Sequence, residues 1–242
     1  MTKRYALPFP VLPGKSEAEV KEGATIFRSN PEQYRESRSR AGVTLERAYL
    51  QKTPMGDFVI AYTEGDKDYP DVLASYFDGS LEINNRFTEF VKRVHGFDPA
   101  EAAKYPPPET IGEWWDPTVT KRRAGLAFTA PAIAGQEEYG RNFIREALVN
   151  RREEFTASRR ALNGQSGEVI TLLQTPMGPV VAVYLEGDDP VEGNRRFAAS
   201  QTPFDRWFKD ECRKIFPPEI DFDQPLPPIE QFFDSAELLT AV

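Results

Sequence analysis

Tyr62 and Glu64 are two residues apart, and so are Tyr184 and Glu186. In an extended chain alternate residues share a face, so each phenol stands beside a carboxylate. A carboxylate held by a phenol away from water has a raised pKa and serves as a general base. Phe58 and Ile60 precede the first pair on the same face and would line the same space. The competing reading leaves each glutamate in solvent at the end of its strand. Arg38 and Arg159 stand near Glu46 and Glu168 in sequence. Each arginine complements a helix end and pairs with a carboxylate, or else it receives the anionic part of a ligand.

The rest of the chain narrows the chemistry. His95 is the only histidine and Cys212 the only cysteine, so no serine–histidine–acid or cysteine–histidine constellation is attractive. One cysteine also excludes an intrachain disulfide and a thiolate zinc cluster. No glycine loop for nucleotide phosphates is present, and acidic runs such as Asp221–Asp223 lack calcium-loop spacing. No metal and no cofactor is therefore expected. His95 precedes Gly96 and reads as a helix-terminal cap; its functional alternative is an axial haem ligand. Lining up the two halves of the chain sets Ile215 opposite it. Cys212 reads as buried packing.

The net charge of −8 over 242 residues argues against nucleic acid and anionic membrane surfaces as partners. No apolar stretch approaches a membrane span, and the proline-broken start, Met1 to Lys15, does not read as a signal peptide. A cytoplasmic protein is expected.

What must position these residues is a duplicated unit. Thr53-Pro-Met-Gly-Asp-Phe-Val-Ile-Ala-Tyr-Thr-Glu-Gly-Asp66 matches residues 175–188 at nine of fourteen positions with a constant offset of 122. Pro10 and Gly14 match Pro131 and Gly135; Ser37-Arg38 matches Ser158-Arg159; Arg86-Phe87 is set against Arg206-Trp207. The repeat divides the chain at 1–118 and 119–242. Each copy reads as a strand (Tyr5–Leu12, Leu126–Ile133), a helix from Ser16 to Ala41 or from Gln136 to Leu162, a hairpin about Thr-Pro-Met-Gly, and a helical region broken near Ser80 or near Thr202-Pro203. An aromatic tail follows, Trp114-Trp115 in one copy and Phe232-Phe233 in the other. The tails narrow a cavity mouth or pack on the partner copy.

This β-α-β-β-α order is ferredoxin-like and of α+β class. On that order, the Thr-Pro-Met-Gly hairpin and the Tyr-x-Glu-Gly-Asp strand exit, the chain resembles the dimeric α/β-barrel superfamily. The resemblance implies two units packed sheet to sheet about a pseudo-twofold axis, as a monomer or a homodimer, around a cavity. A fourth strand should follow the second helix; Thr110–Trp115 and Ile229–Phe233 are candidates for it, or for short capping helices. The resemblance implies a small, largely apolar ligand and, if the protein is an enzyme, cofactor-free oxygenation, isomerisation or dehydration. Glu64 and Glu186 would then be catalytic, with Tyr62, Tyr184, Phe58, Ile60, Arg38 and Arg159 at the ligand. The rivals are a non-catalytic interaction or stress protein with a filled barrel, and a haem protein similar to chlorite dismutases.

Overall fold

The computed structural model describes residues 2–102 and 104–239. Its elements form two compact units, Met1–Pro108 with Glu230–Val242, and Glu109–Ile229. The first unit contains β1 (Lys3–Pro10), α1 (Glu17–Ser29), α2 (Pro31–Ala41), β2 (Val43–Thr53), β3 (Gly56–Gly65), α3 (Tyr69–Tyr76), α4 (Glu82–His95) and the short α5 (Pro99–Ala102). The second contains β4 (Glu109–Trp115), β5 (Ala124–Pro131), α6 (Glu137–Arg145), α7 (Arg152–Ala161), β6 (Gly167–Thr175), β7 (Gly178–Gly187), α8 (Pro190–Ala199) and α9 (Pro203–Cys212). The chain then runs into β8 (Ile229–Asp234) and α10 (Ala236–Leu239). No helix of the described residues is long and apolar enough to cross a membrane.

Each unit carries one antiparallel four-stranded sheet, ordered β1-β3-β2-β8 and β4-β6-β7-β5. The repeated tails are strands, and each joins the other copy's sheet. β4, at the end of the first repeat, pairs with β6 of the second from Glu109↔Leu172 to Trp115↔Gly167. β8, at the end of the second repeat, lies beside β2 of the first. The sequence repeat and the compact unit therefore divide the chain differently at both tails. The aromatic pairs follow the strands. Trp114 packs edge-on to Phe155 and donates its indole N–H to Thr156, while Phe233 packs on Phe27 and Tyr34.

Local chemistry explains the boundaries. Ser16 and Glu19 make a reciprocal capping box that starts α1. The helix expected to run to Ala41 breaks at Asn30, whose side chain caps α2, and Pro31 occupies the first position, where its missing N–H costs nothing. In both hairpins a threonine hydroxyl (Thr53, Thr175) accepts from the methionine N–H at 3.2 Å and donates to the glycine carbonyl at 2.7 Å. Gly56 and Gly178 close these turns at φ 121° and 112°, a region that disfavours other residues. The hairpins set the register: Ala48 faces Ala61 in the first unit, and Ile170 faces Val183 in the second.

The second unit holds one extra residue between its helix start at Gln136 and Arg159, compared with Ser16 and Arg38 in the first. Residues 146–150 form a π-helical turn between α6 and α7, so the repeat offset changes by one across it. With the N-cap residues Ser16 and Gln136 superposed, Gly23 and Ala24 of α1 correspond to Phe143 and Ile144 of α6.

Candidate functional site

The helix-covered face of the first sheet borders a partly open cavity of about 100 Å³. Its floor is the inward face of the strands: Leu7 and Phe9 from β1, Ala48 from β2, and Val59, Ala61 and Thr63 from β3. Its roof comes from α1, α3 and α4, with Gly23, Ala24, Phe27, Val72, Phe87, Phe90 and Val91. Phe232 and Phe233, on the exchanged strand β8, close one side. Side-chain size explains why space is left. The Ala48/Ala61 pair is Ile170/Val183 in the second unit, and Gly23 and Ala24 are replaced by Phe143 and Ile144, which are buried in that unit's core. A Cβ on Gly23 would lie 2.8 Å from the Phe90 ring, so glycine is what lets that ring sit against α1.

One wall is polar. Glu46 receives hydrogen bonds from Arg38 Nε at 2.7 Å, Tyr34 at 2.8 Å and Tyr76 at 3.0 Å. Ser37 donates to Asn84 at 2.7 Å beside it. Burial opposes the Arg38 charge, but Glu46 and the two phenols outweigh it and raise the pKa above the ordinary value. Burial first, then the Glu46 charge, holds Tyr34 well above its usual range; for Tyr76 burial is again the leading cause. Both are phenols at neutral pH. The second unit repeats the ion pair, Arg159 Nε to Glu168 at 2.8 Å. There Phe155 and Phe197 flank the guanidinium where Tyr34 and Tyr76 flank Arg38, and Gln165 supplies a donor.

His95 stands at the other end of the cavity. Gly96, at φ 62°, ends α4 by giving its own N–H to Lys92 and Val91, so the imidazole is not the cap. The ring turns inward between Phe9 and Phe90, with centroids 5.9 and 5.5 Å away. Its Nδ1 lies 3.0 Å from the Pro10 carbonyl. A carbonyl oxygen only accepts, so Nδ1 carries the proton and Nε2 the lone pair. Burial lowers the His95 pKa to about 4, which keeps the ring neutral at ordinary pH. Equivalent backbone hydrogen bonds, Leu12 to Val94 and Ile133 to Ile215, match Val94 with Ile215. The counterpart of His95 is thus Phe216, one residue on from the sequence expectation.

The tyrosine–glutamate pairs do share a face, and each phenol donates to its own carboxylate. Tyr62 and Glu64 lie on the other side of the first sheet from the cavity wall, and Tyr184 and Glu186 take the matching strand positions in the second unit. Tyr62 and Ile60 are fully buried, and Phe58 lies on the same face, alternating with Val59, Ala61 and Thr63. Glu64 also has Arg4 at 3.2 Å, and Glu186 has Arg122 at 3.2 Å with the Arg123 N–H at 3.2 Å. Arg38 and Arg159 are engaged by Glu46 and Glu168 as described. The structure therefore brings Arg38 to a cavity wall, but through a carboxylate. Sequence reasoning missed Tyr76, Phe90 and the small-residue floor; a comparison of side-chain size between the repeats, face by face, contains that signal. Cys212 is buried with its thiol pushed up by desolvation, so it is inert. No group of His, Cys, Asp and Glu among the described residues is placed to hold a metal. A porphyrin does not fit the space beside His95, which is well below the roughly 300–1,000 Å³ of pockets for larger ligands.

No protein-family model matches the sequence. No curated protein matches it either. Solved structures do. One, from Fusobacterium nucleatum subsp. nucleatum and named "Putative monooxygenase", superposes with a TM-score of 0.51 at 8% identity, covering 96% of this chain and 93% of its own. Another, named an anthrone oxidase-like protein, has a TM-score of 0.51 at 10% identity and covers 95% and 92%. At these identities the likeness is one of fold, a duplicated ferredoxin-like α+β arrangement with two four-stranded sheets.

Proposed function

We propose that this protein binds a small, largely apolar molecule under the helices of its first unit, and that this is where any chemistry takes place. The observation that carries the proposal is the cavity itself. An unfilled hole of about 100 Å³ costs roughly 2 kcal/mol at ~24 cal/mol per Å³. The second unit, with the same fold, places Ile170, Val183, Phe143 and Ile144 where the first has Ala48, Ala61, Gly23 and Ala24. A hole kept in one copy at that cost favours a ligand site over an interaction protein with a filled interior.

The enzymatic form of the proposal is oxidation or oxygenation of the bound molecule by dissolved dioxygen, which is reduced as the molecule is oxidised, without a resident cofactor. It is supported by the names of the two neighbours and by a neutral imidazole facing an apolar space. The site sits on the Val59/Ala61/Thr63 face and not on the Tyr62/Glu64 face, since Glu64 and Glu186 already have phenol and arginine partners. Their role in this proposal is to fix strand ends.

The volume sets the ligand's size. A cavity of about 150 Å³ in another protein holds benzene, so one aromatic ring, with small side-chain movements, is the upper end here. Toluene titrated into the wild-type protein should bind saturably and shift the methyl resonances of Val59, Ala61 and Val91. The variant Ala48→Ile/Ala61→Val, which copies the second unit, should not bind. A wild-type protein that leaves toluene unbound refutes the proposal.

A further inference from the structure

We propose that His95 Nε2 is the orienting hydrogen-bond acceptor of this cavity, so that the site selects a one-ring neutral molecule carrying a single O–H or N–H donor. The inference rests on the ligand site proposed above and adds what the ligand must present. Three observations lead to it. His95 is only 5% exposed and lines the cavity. Its Nδ1–H is committed to the Pro10 carbonyl at 3.0 Å, which fixes the tautomer and the ring plane. Among the described residues Nε2 has no hydrogen-bond partner, whereas the other strong acceptor in the wall, Glu46, already receives Arg38, Tyr34 and Tyr76.

The surroundings favour a neutral donor over an ion. Phe9, Phe90 and Phe97 surround the imidazole end of the cavity. A carboxylate or ammonium would lose its hydration there with no counter-charge, since the Arg38 charge is already matched by Glu46. A hydroxyl loses less on leaving water and recovers it in one bond to Nε2. The second unit has no imidazole at the equivalent place, where Phe216 stands against Phe222. The acceptor is thus a property of the copy that keeps the cavity.

Phenol and toluene, nearly equal in shape, separate the contributions. Wild-type protein should bind phenol at least as tightly as toluene. His95→Phe, which reproduces the second unit, should keep toluene and weaken phenol about tenfold relative to it. His95→Leu serves as a second variant should the larger ring block the space, with the same expected ratio. A phenol-to-toluene ratio unchanged in the variants overturns the inference while leaving the cavity proposal intact. Failure of wild-type protein to bind either probe overturns the cavity proposal itself. Benzoate binding tighter than phenol would also overturn the inference, because it would mean that a cation and not Nε2 receives the ligand.

Discussion

Replacing Ala48 by Ile and Ala61 by Val should make this protein more stable, although most core substitutions do the reverse. The two alanines are direct cross-strand partners on the cavity floor, and the second unit carries Ile170 and Val183 at the same register. Filling a void of about 100 Å³ recovers at most about 2.4 kcal/mol at ~24 cal/mol per Å³. Fitting branched side chains under Phe87 and Phe90 returns part of that as strain, typically ~1–3 kcal/mol when overpacking is real. The expected net gain is therefore about 1 kcal/mol. Urea unfolding followed by circular dichroism should show a higher midpoint with an unchanged slope. Hydrogen exchange should locate the gain at β2 and β3 amides. Trp114, Trp115 and Trp207 all lie in the second unit and report on it by fluorescence. A loss of 1 kcal/mol or more, or a gain confined to the tryptophans, would refute the claim that the void is real and bounded by these two residues.

Two further outcomes follow from the buried polar groups. His95 titrates near 6.5 when unfolded and at about 4 when folded, so between these values the unfolded chain holds more protons and stability falls as pH drops. From pH 7.5 to pH 5 this removes about 2 kcal/mol, estimated from the shift at ~1.36 kcal/mol per pH unit; the difference in urea stability between wild type and His95→Phe should change by that amount, and a pH-independent difference would show that burial does not suppress the charge. Glu46→Gln leaves Arg38, 1% exposed, without its counter-ion and should cost about 3–5 kcal/mol in urea unfolding. Glu168→Gln should cost less, because Asp205 remains 4.0 Å from Arg159, and a loss under about 1 kcal/mol for Glu46→Gln would mean that the Arg38 guanidinium finds water.

Much of the fold was legible because local rules and the repeat agree. The Thr-Pro-Met-Gly hairpins, the caps at Ser16 and Gly42, and the breaks near Ser80 and Thr202 are set by a few adjacent residues. Strand alternation alone put Tyr62 beside Glu64 and Tyr184 beside Glu186. The nearness of Arg38 to Glu46 was legible for the same reason, as eight residues span one helix end and one strand start. Two local details were not. Asn30-Pro31 divides the first helix, and the π-helical turn at 146–150 shifts the repeat by one residue within it; the pairing of His95 with Phe216 is separate from that shift and shows only in the backbone hydrogen bonds of Val94 and Ile215.

Alternation sorts side chains into two sets without saying which set a void adjoins. The sequence by itself determined the duplication, the ferredoxin-like order and the membership of each face, because these depend on periodicity and on turns a few residues long. Tertiary structure alone decided the rest. It sent β4 and β8 into each other's repeat's sheet, a choice made by pairing partners more than fifty residues away for β4 and more than a hundred and seventy for β8. It placed the cavity beside Ala48 and Ala61, because space under a sheet depends on the summed volumes of side chains from seven elements. It also turned His95 away from the helix end, so that Nδ1 meets the Pro10 carbonyl and the ring lies among the aromatic residues that line the cavity.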